Sequence, residues 1–232
     1  MVHQVTCFSD AYSVWENWNI TGYQQRSDTV MALKNEVALH DLSIAKVMTF
    51  HLEQGDAILS PCHLMPGPTG ETNELYIAGR GVSLLIQDEI GQQAQQALIA
   101  QLTCSLLAGN SVVVASDDEE LNALLSSASV GATLPTNLVQ IVPVDAAQSL
   151  LECDVRCVGF VGGESEAINL NRSLSQRSGA IVSFISETDL VGLPTALDTV
   201  LALRFVTERT RTINITAVGG NATLLELGSD GH

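Results

Sequence analysis

From Asn73 onward the chain repeatedly sets a short run of β-branched residues before a longer stretch with helical periodicity, the pattern of βαβ units and a mostly parallel sheet. The spacing predicts strands at Glu74–Ala78, Val82–Gln87, Ser111–Ala115, Val139–Val142, Cys157–Val161 and Ile181–Ile185. Between them lies a helix over Gly91–Leu107, in which Ala94, Leu98, Leu102 and Leu106 recur every fourth residue and line one face. That helix carries no charged residue, which suits burial between layers. A second helix is expected at Asp117–Ser129, with Ser116 and Glu119 in capping-box spacing, and a third from about Glu164 to Arg177. The expected fold class is therefore α/β: a Rossmann-like, mostly parallel open sheet with helices on both faces.

Outside this core the character changes. Residues 1–60 read as helices over Phe8–Trp18, Arg26–Val37 and Asp41–Gln54, punctuated by Gly22 and Gly55 and packing on the core. Phe8, Tyr12, Trp15, Trp18 and Tyr23, five of the chain's ten aromatics, fall in the first 23 residues, and Phe50 lies further along the segment. Residues 61–73, rich in Pro and Gly, read as a linker into a domain spanning 74–200. Residues 201–232 read as a flap and tail: a β-hairpin of Ala202–Val206 and Arg211–Val218 around Thr207–Thr210, then an apolar end after Gly219-Gly220-Asn221. A lone hairpin is marginal in water, so this one is expected to pair with another sheet or another subunit.

Charge excludes one class of partner. Ten Lys+Arg against 26 Asp+Glu leave a net charge of −16, and residues 81–155 contain no Lys or Arg. A nucleic acid or anionic membrane would be repelled. No segment has the build of an export signal or a spanning helix, and five cysteines without a Cys-x-x-Cys pair suit a reducing compartment, so a cytoplasmic location is expected. The five histidines are scattered, so no metal site is expected.

In a doubly wound sheet, ligands sit at the carboxyl ends of the strands. Here those ends lead into Asp117-Asp118-Glu119-Glu120, Gly162-Gly163-Glu164 and Glu187-Thr188-Asp189. The four-acid run is expected to sit in a helix's first turn, stabilised by the macrodipole. Only Gly159-Phe160-Val161-Gly162-Gly163 has the look of a phosphate cradle, making Gly159, Gly162 and Gly163 the weak candidates for cofactor binding. Cys104 falls in an uncharged helix, Cys157 at a strand start and Cys153 beside Glu152 and Asp154, settings that do not activate a thiol, so no catalytic residue is expected.

Leu107-Ala108-Gly109-Asn110-Ser111-Val112-Val113-Val114 resembles the Ala-Gly-Asn-x-Val-Val segment of aldehyde dehydrogenases, and Leu134-Pro135, Val139–Val142 and Gly159-Phe160-Val161-Gly162 follow in that family's order. Met65-Pro66-Gly67-Pro68-Thr69-Gly70-Glu71-Thr72-Asn73 and Thr212–Leu224 resemble, more specifically, the C-terminal aldehyde-dehydrogenase-like domain of the bifunctional proline-utilization flavoproteins. Those proteins join proline dehydrogenase to L-glutamate-γ-semialdehyde (pyrroline-carboxylate) dehydrogenase. The resemblance implies a domain that is not itself the catalyst, whose β-flap and terminal motif pack on the catalytic domain and help enclose the pyrroline-carboxylate passage. It implies an interface of Phe205, Ile213, Asn214, Ile215, Thr216, Gly219, Gly220, Asn221 and Leu224. Where active members place Lys-Pro-Ser, this chain has Ala115-Ser116-Asp117; where they place Glu-Leu-Gly-Gly, it has Ser183-Phe184-Ile185-Ser186; and no cysteine follows Cys157.

The expectation is a non-catalytic accessory or oligomerisation domain associated with proline catabolism, without a cofactor. It would dock a second copy or a proline-catabolic dehydrogenase through flap and tail. Two alternatives stand beside it: an NAD-dependent pyrroline-carboxylate dehydrogenase, and a regulatory module that binds a small ligand at the Gly159–Gly163 edge.

Overall fold

The structure is a computed structural model that describes residues 2–68 and 70–214, with side chains from residue 5 onward. It divides into two units, one of residues Met1–Ser60 and Ala78–Val206, the other of Pro61–Ile77 and Thr207–His232.

The first unit is built on a five-stranded parallel sheet of β3 (Val82–Gln87), β4 (Ser111–Ser116), β5 (Val139–Val142), β6 (Cys157–Val161) and β7 (Ser183–Glu187), in the order β5-β4-β3-β6-β7. Strands β3, β4 and β6 are buried throughout, as continuous apolar runs require when both faces are covered. One face packs Val82, Leu84, Ile86, Val113, Val158 and Phe160 against α1 (Val2–Ile20), α6 (Ala147–Leu150) and α7 (Glu164–Ser175). The opposite face lies under α4 (Gln92–Ala108), which contacts β3, β4 and β6. Helices α2 (Tyr23–Ala38) and α3 (Leu42–Leu59) cover α4 in turn, and α5 (Glu119–Gly131) packs on α2 and β5. From Ala97 to Ala108 every residue of α4 is buried, so its lack of charge follows from having no solvent-facing side.

A helix buried to its last turn leaves carbonyls with no water to bond. Side chains from α1, α2 and the following turn supply the donors. Trp18 Nε1 donates to the Leu106 carbonyl at 3.0 Å, and Arg26 Nε donates to that of Leu107 at 3.0 Å. Gly109, at φ 96°, turns the chain in the left-handed region and brings Asn110 back beneath the helix. Asn110 Nδ2 donates to Ser105 O and Phe205 O, and its Oδ1 accepts the Gly81 N–H. Helix α4, the entry to β3 and the segment before Val206 thus meet at one amide. Arg26 is 5% exposed and makes no ion pair among the described residues; burial lowers its pKa, and the negative end of α4 faces its charge.

Several sequence expectations are corrected. Gly55 lies inside α3, where Tyr23 and Leu107 press against it, and does not end a helix. The expected linker contains β1 (His63–Met65) and the start of β2 (Glu71–Gly79). Strand β2 is not in the parallel sheet: it is the centre of the second unit's antiparallel sheet, ordered β1-β2-β8. The expected C-terminal hairpin is absent within the described residues. Leu201–Phe205 forms a 3-10 turn whose Leu201 and Phe205 are fully buried, and Val206–Asn214 is one continuous strand, β8. The last parallel strand begins at Ser183, leaving Ile181 94% exposed.

Replacing Asn110 by Ala is expected to destabilise the protein by about 3 kcal/mol, since it removes the side-chain partner of the buried Gly81 N–H and of the Phe205 carbonyl, while Ser105 O keeps the Asn110 N–H. Chemical denaturation of the purified variant measures this.

Candidate functional site

The carboxyl edge of the parallel sheet is where this fold type places ligands. At the ends of β3 and β4, Ser116 Oγ donates to Gln87 Oε1 at 2.8 Å, and Gln87 Nε2 donates to Asp118 Oδ2 at 3.3 Å. Gln95 Nε2, from α4, donates to the same carboxylate oxygen at 2.9 Å, while Asp118 Oδ1 accepts the Leu121 N–H at 3.1 Å. All four polar side chains are buried. Asp118 is therefore the N-cap of α5 and the acceptor for two buried amides, whereas the sequence pattern places it inside the helix's first turn. Ser116 accepts the Asp118 N–H at the end of β4, so it does not cap the helix. The signal missed in the sequence is the pairing of an uncharged, glutamine-rich helix with an acid run on the next strand.

The glycine segment separates into unlike parts. Gly159 sits in mid-strand, where a methyl group would overlap the Gln101 amide and the Leu85 side chain. It is required by the close passage of α4 over β6, and it does not reach the edge. The Gly162 N–H is occupied by the Glu187 carbonyl at 3.2 Å. Gly163 is the N-cap of α7, whose first turn carries Glu164 and Glu166, with Glu166 folded against Gly163. Asp88, at the end of β3, lies against Gly162.

A nicotinamide dinucleotide, the cofactor this fold type implies, does not fit these residues. Its pyrophosphate would meet Asp88, Glu164 and Glu166, and the strand ends carry no Lys or Arg. The arginines that flank the strands, Arg80 and Arg156, precede β3 and β6 at the opposite edge.

At the end of β7, Glu187 is 1% exposed, and its Oε2 accepts the N–H groups of Thr195 and Ala196 at 2.8 and 3.0 Å. The Ala196 carbonyl is bonded on its other side by His51 Nε2, from α3, at 2.9 Å. Two buried ionisable side chains thus hold one residue of an irregular segment. Burial pushes the His51 pKa below its usual value, so the ring is held neutral.

The thiols of the first unit are poor nucleophiles. Burial pushes Cys7 up to about 11 and Cys157 up to about 12, and takes Cys104 well above the usual value. Cys153 is raised by burial and by Glu152, against Arg177. At neutral pH a thiol with a pKa near 11 is ionised in only about one molecule in ten thousand. Among the described residues, no group of three or more His, Cys, Asp or Glu is arranged to hold a metal, and no helix is long and apolar enough to cross a membrane.

The expected interface residues fall in three places. Phe205 is fully buried in the first unit's core, so its ring is closed to a partner. Ile213, 43% exposed, and Asn214 lie on β8 in the second unit. There Arg211 Nε donates to Glu74 Oε2 at 2.8 Å and its guanidinium stands 5.5 Å from the Tyr76 ring centre. Ile215, Thr216, Gly219, Gly220, Asn221 and Leu224 lie outside the described residues.

No protein-family model matches the chain. It is 28% identical over 165 residues to the bifunctional protein PutA of Escherichia coli K12, covering 71% of this chain and 11% of that protein's length. A mutant of Bradyrhizobium japonicum proline utilization A superposes with a TM-score of 0.69 at 25% identity, over 80% of this chain and 22% of that one. An E. coli NADP-dependent enzyme superposes at 0.64 with 17% identity, over 80% of this chain and 43% of that one, a likeness of fold alone. The chain resembles part of bifunctional PutA and aldehyde dehydrogenase-superfamily structures.

Two outcomes follow from the site's geometry. Gly159→Ala is expected to cost about 1–3 kcal/mol of stability through overpacking. On a Gln101→Ala background that cost should shrink, and a double-mutant cycle of denaturation midpoints reads the coupling. His51, depressed by burial, is neutral in both states above about pH 6.5, and its contribution is then complete. Below that pH the unfolded chain takes up a proton that the folded chain resists, so stability falls on acidification. The melting temperature should drop between about pH 7.5 and 5.5, above the carboxylate range near 4, and drop less in His51→Gln.

Proposed function

We propose that this chain is a non-catalytic, aldehyde-dehydrogenase-like accessory domain associated with proline catabolism, which docks a partner through the second unit's sheet. The observation that carries the reading is the closure of the carboxyl edge. Asp118, Gln87, Gln95 and Ser116 satisfy one another there, Glu187 is committed to backbone N–H groups, and the surrounding charges are carboxylates. Hydride transfer from an aldehyde needs a bound nicotinamide and an activated thiol. The first has no cation to anchor its phosphates, and Cys7, Cys104, Cys153 and Cys157 are held as thiols.

The docking half of the reading rests on β8. Among the described residues it is an edge strand of nine residues, exposed from Glu208 to Asn214, and a sheet edge can receive a further strand. The partner is a second copy or a proline-catabolic dehydrogenase of the kind the relatives contain. The chain matches only about a tenth of the curated relative's length, which suits a piece that works against other domains.

The alternative of an active NAD-dependent pyrroline-carboxylate dehydrogenase predicts heat on titration with NAD and aldehyde oxidation that disappears when one cysteine becomes serine. The expected result is neither, with millimolar NAD giving no saturable heat. For docking, light scattering coupled to size exclusion should show self-association, or co-purification should recover pyrroline-carboxylate dehydrogenase from the same source. Ile213→Asp should weaken whichever is found by tenfold or more. A monomer that captures no dehydrogenase would end the docking reading.

A further inference from the structure

A cleft of about 320 Å³ opens in the first unit between α3, the start of α4 and the segment after β7. Its walls are Val47, Phe50, Leu193, Ala196 and Leu197, Ser43 and Gln96 are its uncharged polar side chains, and Lys46 is the one cation on its rim. The volume is at the low end for ligand pockets, suited to a small molecule.

Three features mark this cleft as built to hold its shape. The first is the double hold on Ala196, whose N–H is bonded by Glu187 and whose carbonyl is bonded by His51, both buried. Phe50, stacked edge-on against His51 at 5.0 Å, continues that support into the opposite wall. The second is Leu193, a non-glycine residue at φ 49°. Such conformations persist only where surrounding bonds enforce them, and they cluster at ligand clamps. Here Asp189 enforces it, accepting the Val191 and Gly192 N–H groups on Oδ1 and the Leu193 N–H on its carbonyl. The third is Lys46, one of two lysines in a chain of net charge −16. It makes no ion pair among the described residues, and no carboxylate lines the cleft.

A mostly apolar slot with a single ammonium at its mouth selects by head and tail together. The walls offer burial to a hydrocarbon body, and the free cation offers a charge-assisted bond to an anionic end. Asp198, next to Leu197 in the chain, accepts the Val200 N–H and pairs with Arg204, Glu187 and Asp189 are likewise occupied by backbone donors, and more distant carboxylates are screened at physiological salt. We propose that this cleft binds a small monocarboxylate with an apolar body, the carboxylate on Lys46 and the body between Phe50 and the 193–197 wall. The proposal is independent of the docking reading, since it uses no residue of the second unit.

Calorimetric titration of the intact protein tests it, with octanoate as probe and octan-1-ol and octylammonium as controls. Octanoate should bind saturably at one site per chain, octan-1-ol about tenfold more weakly, and octylammonium not at all. Lys46→Gln should weaken octanoate about tenfold and leave octan-1-ol unchanged. Val47→Trp, which fills the slot from α3, should abolish both while the thermal transition stays cooperative. Three results would each overturn the proposal: no saturable binding of octanoate up to about 5 mM, octan-1-ol binding as tightly as octanoate, or full octanoate affinity in Lys46→Gln.

Discussion

The buried carboxyl end of α4 is the constraint around which the rest is arranged. A helix with no charged residue and no solvent at its last turn must find donors for its terminal carbonyls within the protein. Trp18, Arg26 and Asn110 provide them, and each comes from a different part of the chain. The N-terminal helices are thus a condition for the central layer. Their aromatic richness follows in part, since Trp18 joins a large apolar surface to one N–H donor. The same junction explains the Leu-Ala-Gly-Asn segment: Gly109 supplies the left-handed turn and Asn110 the three side-chain bonds. The segment that resembles an enzyme family is, in this chain, architectural.

The parallel core was legible because its information is local. Strands Val82–Gln87, Val139–Val142 and Cys157–Val161 coincide with apolar runs too short for helices, and uncharged α4 had to be buried. The C-terminal segment was misread for a matching reason. Alternation on both sides of Thr207–Thr210 looks like a hairpin, but β8 pairs with β2, more than a hundred residues earlier, and no pattern within 201–218 encodes that partner. The Pro- and Gly-rich stretch hid β1 similarly, because three exposed residues carry no periodicity.

At the site, the sequence located the acids and missed their roles. Asp118 differs from its neighbours in the run only because Gln87 and Gln95 reach it from two other elements. Glu187 looks like any acid after a strand, yet it is the anchor of the segment that follows. Among the glycines, Gly159 answers to a glutamine above it and Gly163 to a helix start. Each distinction is a matter of what crosses overhead, which one-dimensional spacing does not record.

Arg26 shows what such an arrangement means for altering the protein. Its positive charge faces carbonyl dipoles, and no acid of the described residues pairs with it, so no single carboxylate swap could re-create its setting elsewhere. A version trimmed to begin after Ser60 would discard this guanidinium and the indole beside it, and would bare one flank of a rod with no charged group. Such a fragment, though it would retain every strand, would be sticky and poorly soluble.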